Sequence, residues 1–151
     1  MQRKGVVTKS QKRNASKLKV GIAVAQFNAD ITNALLKGAL TILRERNVRD
    51  DHIYVVHTYG SFELPHAAGR LIKKYEVDAV VALGCIIKGE TKHDEYIAHA
   101  VASGLMRIAL DTGIPVGFGV LTTNNLAQAR KRSRGQTNHG AAAAIAAIDA
   151  A

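Results

Sequence analysis

Five apolar residues in a row, Ala79-Val80-Val81-Ala82-Leu83, stand between Asp78 and Gly84. The run is too short for a typical helix and offers no polar position to water, so it reads as a strand buried on both faces. Such a strand needs a layer of structure above it and another below. Leu18 to Ala25, His52 to Thr58 and Pro115 to Val120 are further strand-like runs. Asp30 is placed to cap a helix running to Asn47, with Ile31, Leu35, Ala39 and Leu43 at helical spacing. Pro65 sits near the start of a helix through Lys74, where its missing N–H costs nothing. A third helix carries Ile97, Val101, Leu105 and Ile108 on one face and stops at Thr112-Gly113. Leu121 to Asn125 starts another, and an Ala-rich last helix begins near Asn138. Strands alternating with helices in this way predict a three-layer α/β/α sandwich on a four-stranded parallel sheet with right-handed crossovers. A chain of 151 residues is long enough for one such core.

The stretch after the buried strand is the most informative chemically. Gly84 and Gly89 bracket a turn, and Thr91-x-x-Asp94 has capping-box spacing, which starts a helix near Lys92 with His93 in its first turn. A strand, a glycine turn and a helix N-terminus together suit an anion, because the first helical amides are unpaired and the dipole is positive there. The turn is one residue away from a nucleotide-binding P-loop, but Glu90 stands where that loop needs Lys and would repel a triphosphate. No G-x-G-x-x-G follows a strand and no HExxH occurs, so dinucleotide and metal sites are unsupported. In parallel sheets ligands lie outside the carboxyl ends of the strands. The unusual residues gather at those ends: Phe27-Asn28, Gly60 to Glu63, Gly84 to His93, and Phe118 to Thr123. On architecture alone, a flavodoxin-like module binding FMN stays open, since one fold hosts many functions.

Charge separates the chain into two parts. Its formal net charge is +9, and residues 1–19 hold seven Lys and Arg with no acid. Residues 1–17 therefore read as a basic flexible tail and residues 18–151 as one domain. The tail serves either as a solubilising arm or as a contact for anions or nucleic acid. Its composition is compatible with a transit peptide, but no stretch is apolar enough for a signal peptide or a membrane span. Cys85 is the lone cysteine, which rules out an intrachain disulfide and makes a reducing cytoplasm the default.

Four motifs in order, Gln26-Phe27-Asn28, Gly60-Ser-Phe-Glu-Leu-Pro65, Leu83-Gly-Cys-Ile-Ile-Lys-Gly-Glu-Thr-Lys-His93 and Phe118-Gly-Val-Leu-Thr-Thr123, make the chain resemble the lumazine synthases. The resemblance runs from about Val20 to Ala147. It implies flavodoxin-like winding. It also implies condensation of 5-amino-6-ribitylaminouracil with 3,4-dihydroxy-2-butanone 4-phosphate to 6,7-dimethyl-8-ribityllumazine, with no cofactor and no metal. On that resemblance Phe27 stacks on the pyrimidine, Ser61, Phe62 and Glu63 hold the ribityl chain and ring edge, and the backbone of Cys85, Ile86 and Ile87 reads the pyrimidine. Gly89, Glu90 and Thr91 receive the phosphate through main-chain amides, Arg132 pairs with it, and His93 is the general acid and base.

The same resemblance implies a pentamer in which Phe118 comes from a neighbouring subunit, and for many members a 60-subunit icosahedral shell. Association with riboflavin synthase and an N-terminal segment that adds a strand to a neighbour's sheet belong to the same expectation. The last loop departs from the family pattern. Thr137-Asn138-His139-Gly140 puts His139 where a substrate-contacting Lys is usual, and the loop is one residue short. The competing expectation is a weakened relative that binds riboflavin or lumazine, or one kept mainly to form a shell.

Overall fold

The computed structural model describes residues 12–151. These form β1 (Val20–Ala25), α1 (Ala29–Glu45), β2 (Ile53–Thr58), α2 (Leu64–Tyr75), β3 (Ala79–Ile87), α3 (His93–Thr112), β4 (Val116–Thr123), α4 (Leu126–Arg132) and α5 (His139–Ala150). All strand pairs are parallel and the sheet order is β2-β1-β3-β4. This is the flavodoxin-like order, in which the winding reverses between β1 and β3. The central pair is buried on both faces, as the uninterrupted apolar runs require.

Period-two alternation sends the two sides of each strand into different cores. Val20, Ile22, Val24, Val81, Leu83 and Cys85 pack with α1 and α5, whereas Ala23, Ala25, Val80 and Ala82 pack with α2 and α3. The α1–α5 layer is unusually close. A Cβ on Gly140 would lie 2.1 Å from the Leu35 carbonyl oxygen, and one on Gly38 would lie 2.3 Å from the Asn138 amide nitrogen. Asn138 uses its whole side chain there. It donates to the carbonyls of Ala34 (3.0 Å) and Ser133 (2.8 Å) and accepts from the amides of Gly140 (2.8 Å) and Ala141 (3.1 Å) at the start of α5.

Four expectations from the sequence are corrected. Gly84 is inside β3 rather than in a turn, and the strand runs on to Ile87. A glycine is needed because Ser61 packs there: a Cβ would lie 2.5 Å from the Ser61 hydroxyl. β4 likewise continues through Leu121–Thr123, and α4 begins later, at an Asn125 cap that accepts from the Gln128 amide at 2.9 Å. The cap of α1 is Asn28 rather than Asp30, whose carboxylate instead meets Arg134 at 3.1 Å. Thr91 and Asp94 form no capping box. The Thr91 hydroxyl accepts only from the His93 amide, at 3.3 Å, and Lys92 precedes the helix.

Residues 12–17 share the basic composition of the tail, yet part of that segment packs on the domain. Ala15 is buried and its amide donates to the Arg46 carbonyl at 2.7 Å, while Arg13 donates to the Ile148 carbonyl at 2.8 Å and to that of Ala151. Residues 1–11, which hold the rest of the basic tail and of any segment reaching a neighbour, lie outside the described residues.

Candidate active site

The reversal of winding opens a cleft. The last paired residues of β1 and β3 are Val24 and Leu83. Beyond them the β1 chain turns toward β2, the Gln26 amide donating to the Thr58 carbonyl (2.8 Å) and the Phe27 amide to that of Tyr59 (3.0 Å). β3 continues beside β4 through the pairs Cys85–Leu121, Ile86–Thr122 and Ile87–Thr123. The two chains therefore diverge, and the space between them is a cleft of about 660 Å³.

Segments distant in sequence meet around it. Phe27, Ser61, Phe62, Glu63, Cys85, Ile86, Ile87, Gly89, Thr91 and His93 all border the cleft. Phe27 and Phe62 are each more than half exposed, as are Tyr59 and Tyr96, which join them. Large rings held in water at one opening are available to stack on a planar ligand. Ser61 is buried against Gly84, and the Glu63 carboxylate accepts from the Gly60 amide at 3.0 Å, so the loop after β2 is fixed before a ligand arrives. His93 is exposed as the first residue of α3, with the Gly89–Thr91 turn just before it. Glu90, within that turn, is exposed and does not border the cleft.

Cys85 contributes backbone to the cleft while its thiol is buried. Burial pushes that thiol up from its ordinary value of 9.0 to about 11. A neutral thiol is a poor nucleophile, in keeping with a small packing residue. Alkylation of Cys85 by iodoacetamide at pH 8 is expected to run about 10²-fold slower than that of an unhindered cysteine, because the thiolate fraction falls with the shift. Mass spectrometry of timed samples checks this, and rapid labelling of the folded chain would contradict it.

Three sequence-named residues lie elsewhere on the chain. Phe118 is half exposed on the edge strand β4, opposite Ala82. Arg132 ends α4 and donates to the Gln128 carbonyl at 3.2 Å. His139 opens α5 and is exposed. None of the three borders the cleft of its own chain. Conversely, Asn28, Tyr59, Asp94, Tyr96 and Ile97 do border it and were not singled out as site residues. Tyr96 was within reach of sequence reasoning, being three residues from His93 on one helix face.

The family model described as 6,7-dimethyl-8-ribityllumazine synthase matches residues 17–151. The chain is 45% identical over 132 residues to the 6,7-dimethyl-8-ribityllumazine synthase of Porphyromonas gingivalis, covering 87% of this chain and 82% of that one. It is 42% identical over 137 residues to the enzyme of the same name from Blochmanniella pennsylvanica, covering 89% and 87% respectively.

Proposed function

The chain belongs to the 6,7-dimethyl-8-ribityllumazine synthase family, and from that premise we propose how its cleft carries out the family's reaction. The protein is a transferase of riboflavin biosynthesis, condensing 5-amino-6-ribitylaminouracil with 3,4-dihydroxy-2-butanone 4-phosphate and releasing phosphate and water. The observation that carries the reading is the convergence, at the winding reversal, of the three motifs that follow β1, β2 and β3.

In this reading the pyrimidine lies between the Phe27 ring and the Cys85–Ile87 segment that lines the cleft. Ser61, Phe62 and Glu63 hold the ribityl chain and the ring edge. The amine of the pyrimidine attacks the ketone of the sugar phosphate, and His93 moves the proton as water leaves and the Schiff base forms. Loss of phosphate follows, with the amides of Gly89, Glu90 and Thr91 and the Arg132 guanidinium receiving the anion. The pattern of ion pairs favours Arg132 over Arg130 and Arg134. Arg130 and Arg134 both face Asp30, at 3.7 and 3.1 Å, while Arg132 has no carboxylate partner among the described residues. Arg132→Ala is expected to raise the KM of the sugar phosphate by an amount equal to roughly 1.5–3 kcal/mol and to leave that of the pyrimidine nearly unchanged. Equal weakening of both substrates would assign the phosphate to another group.

The active form in this proposal is a pentamer in the cytoplasm, with Phe118, Arg132 and His139 completing a neighbour's cleft. Exposed apolar side chains support it: Tyr96, Met106 and Leu110 on α3 and Phe118 on β4 are all more than half exposed. The outer edges of β2 and β4 are also unpaired among the described residues. Assembly of pentamers into a 60-subunit shell and association with riboflavin synthase extend the same proposal. No helix among the described residues is long and apolar enough to cross a membrane.

Mixing the purified chain with both substrates and following lumazine fluorescence tests the activity. Mixing Phe118→Ala with His93→Ala subunits tests the shared site, since activity should return where an intact Phe118 meets an intact His93. Full activity in a monomer would refute the shared site.

A further inference from the structure

We propose that Asn28 is a positioning residue, whose side-chain amide sets the width of the gap between Phe27 and the Cys85–Ile87 backbone and so fits the cleft to a planar pyrimidine. The inference rests on the reading of the cleft given above. Past the Val24–Leu83 pair, β3 still presents carbonyls toward the side that β1 has left, because the β1 chain now gives its amides to Thr58 and Tyr59. The Asn28 amide nitrogen crosses this gap and donates to the Cys85 carbonyl at 2.9 Å. It stands in for the backbone rung that a longer β1 would have provided.

The backbone of Asn28 makes this reach feasible. Its φ of 61° and ψ of 47° are left-handed, a region that asparagine tolerates better than most residues. That conformation turns the chain sharply out of β1 while the side chain still points back across the opening. The Asn28 carbonyl meanwhile accepts from the amides of Ile31 (2.9 Å) and Thr32 (3.0 Å) and starts α1. One residue thus joins the end of β1, the start of α1 and the late part of β3. Phe27, directly before it, is tied on its other side to the Tyr59 carbonyl. The exposed Phe27 ring is therefore placed relative to Cys85–Ile87 by two hydrogen bonds, one to Tyr59 on the side away from the gap and one, made by Asn28, that spans it.

Two substitutions separate the amide from the backbone shape. Asn28→Gly keeps the left-handed conformation and removes the donor. Asn28→Asp keeps both conformation and size but turns an oxygen toward the Cys85 carbonyl. Both are expected to raise the KM of the pyrimidine substrate about tenfold, as loss of a donor to a part-buried carbonyl does. The kcat and the KM of the sugar phosphate should stay nearly unchanged. Wild-type KM in both variants, or an equal rise for both substrates, overturns the proposal. Absence of any lumazine from the wild-type chain would instead defeat the assigned reaction. The crystal structure of Asn28→Gly then decides: a Phe27–Cys85 separation wider than in the wild type upholds the role, and an unchanged one rejects it.

Discussion

Replacing His93 with alanine is expected to lower kcat about 10²-fold and to leave the fold intact. A general acid–base group contributes about 10²–10⁴, and the low end applies because amine and ketone condense without a catalyst at a measurable rate. The structure separates chemistry from stability at this position. His93 is exposed, and the hydrogen bond at the start of α3 runs from its backbone amide to the Thr91 hydroxyl, so the imidazole is no part of the cap. Removing an exposed ring away from the core should change stability by no more than about 0.5 kcal/mol. Steady-state kinetics beside a thermal melt resolve the two effects. An unchanged kcat in a folded variant would take His93 out of the mechanism.

Gly140→Ala, at the only glycine of α5, is expected to cost the fold a large part of its stability, and for a reason that excludes easy repair. The new methyl would meet the Leu35 carbonyl oxygen at 2.1 Å, along with the Leu35 carbonyl carbon and Cα at 2.7 and 2.8 Å. These are backbone atoms, so no rotamer change relieves the clash and the two helices must separate. Overpacking costs about 1–3 kcal/mol and occasionally more, and forcing apart α1 and α5 belongs at the upper end. Alanine's better helix propensity returns about 1 kcal/mol at most. A net loss of about 2–3 kcal/mol lowers Tm by roughly 4–12 °C in a chain of this size. Gly89→Ala is the control, because no atom stands within 4 Å of its added methyl. Similar melting of the two variants would show that the α1–α5 contact is looser than the distances imply.

The sequence made the four strands and their order of alternation with helices readable, because apolar runs and helical repeats are local signals. It misplaced Gly84 for a tertiary reason. Glycine within a few residues of another glycine reads as a turn, but here it marks the approach of Ser61, contributed by a loop more than twenty residues earlier. Leu121-Thr122-Thr123 belongs to β4, where β-branched threonines favour a strand, and the Asn124-Asn125 pair is the true helix signal. At the cleft, Phe27, Glu63 and His93 were found as residues at strand ends. Asn28 went unassigned, because its contribution is a hydrogen bond across a gap that exists only once β1 and β3 part. Phe118, Arg132 and His139 lie off the cleft of their own chain, and no local pattern can say which subunit a residue serves.

The divergence of β1 and β3 also gives the cleft two walls of unequal stiffness. One wall continues from β1, which is gripped by a parallel strand on each side and is fully buried along Val20–Ala25. The other leaves β3 at Ile87 and continues into the Lys88–Lys92 segment, which is outside any strand or helix and exposed throughout, with Gly89 and Thr91 bordering the cleft. Amide protons at the end of β1 should exchange with deuterated solvent only when the whole domain opens, whereas those of Gly89 to Lys92 should exchange by small local excursions. A ligand entering here meets an anvil and a spring. If the proposed roles hold, the aromatic ring is received by a surface already set and the anion by the more mobile segment, so protection gained on binding should be concentrated almost entirely in the second wall.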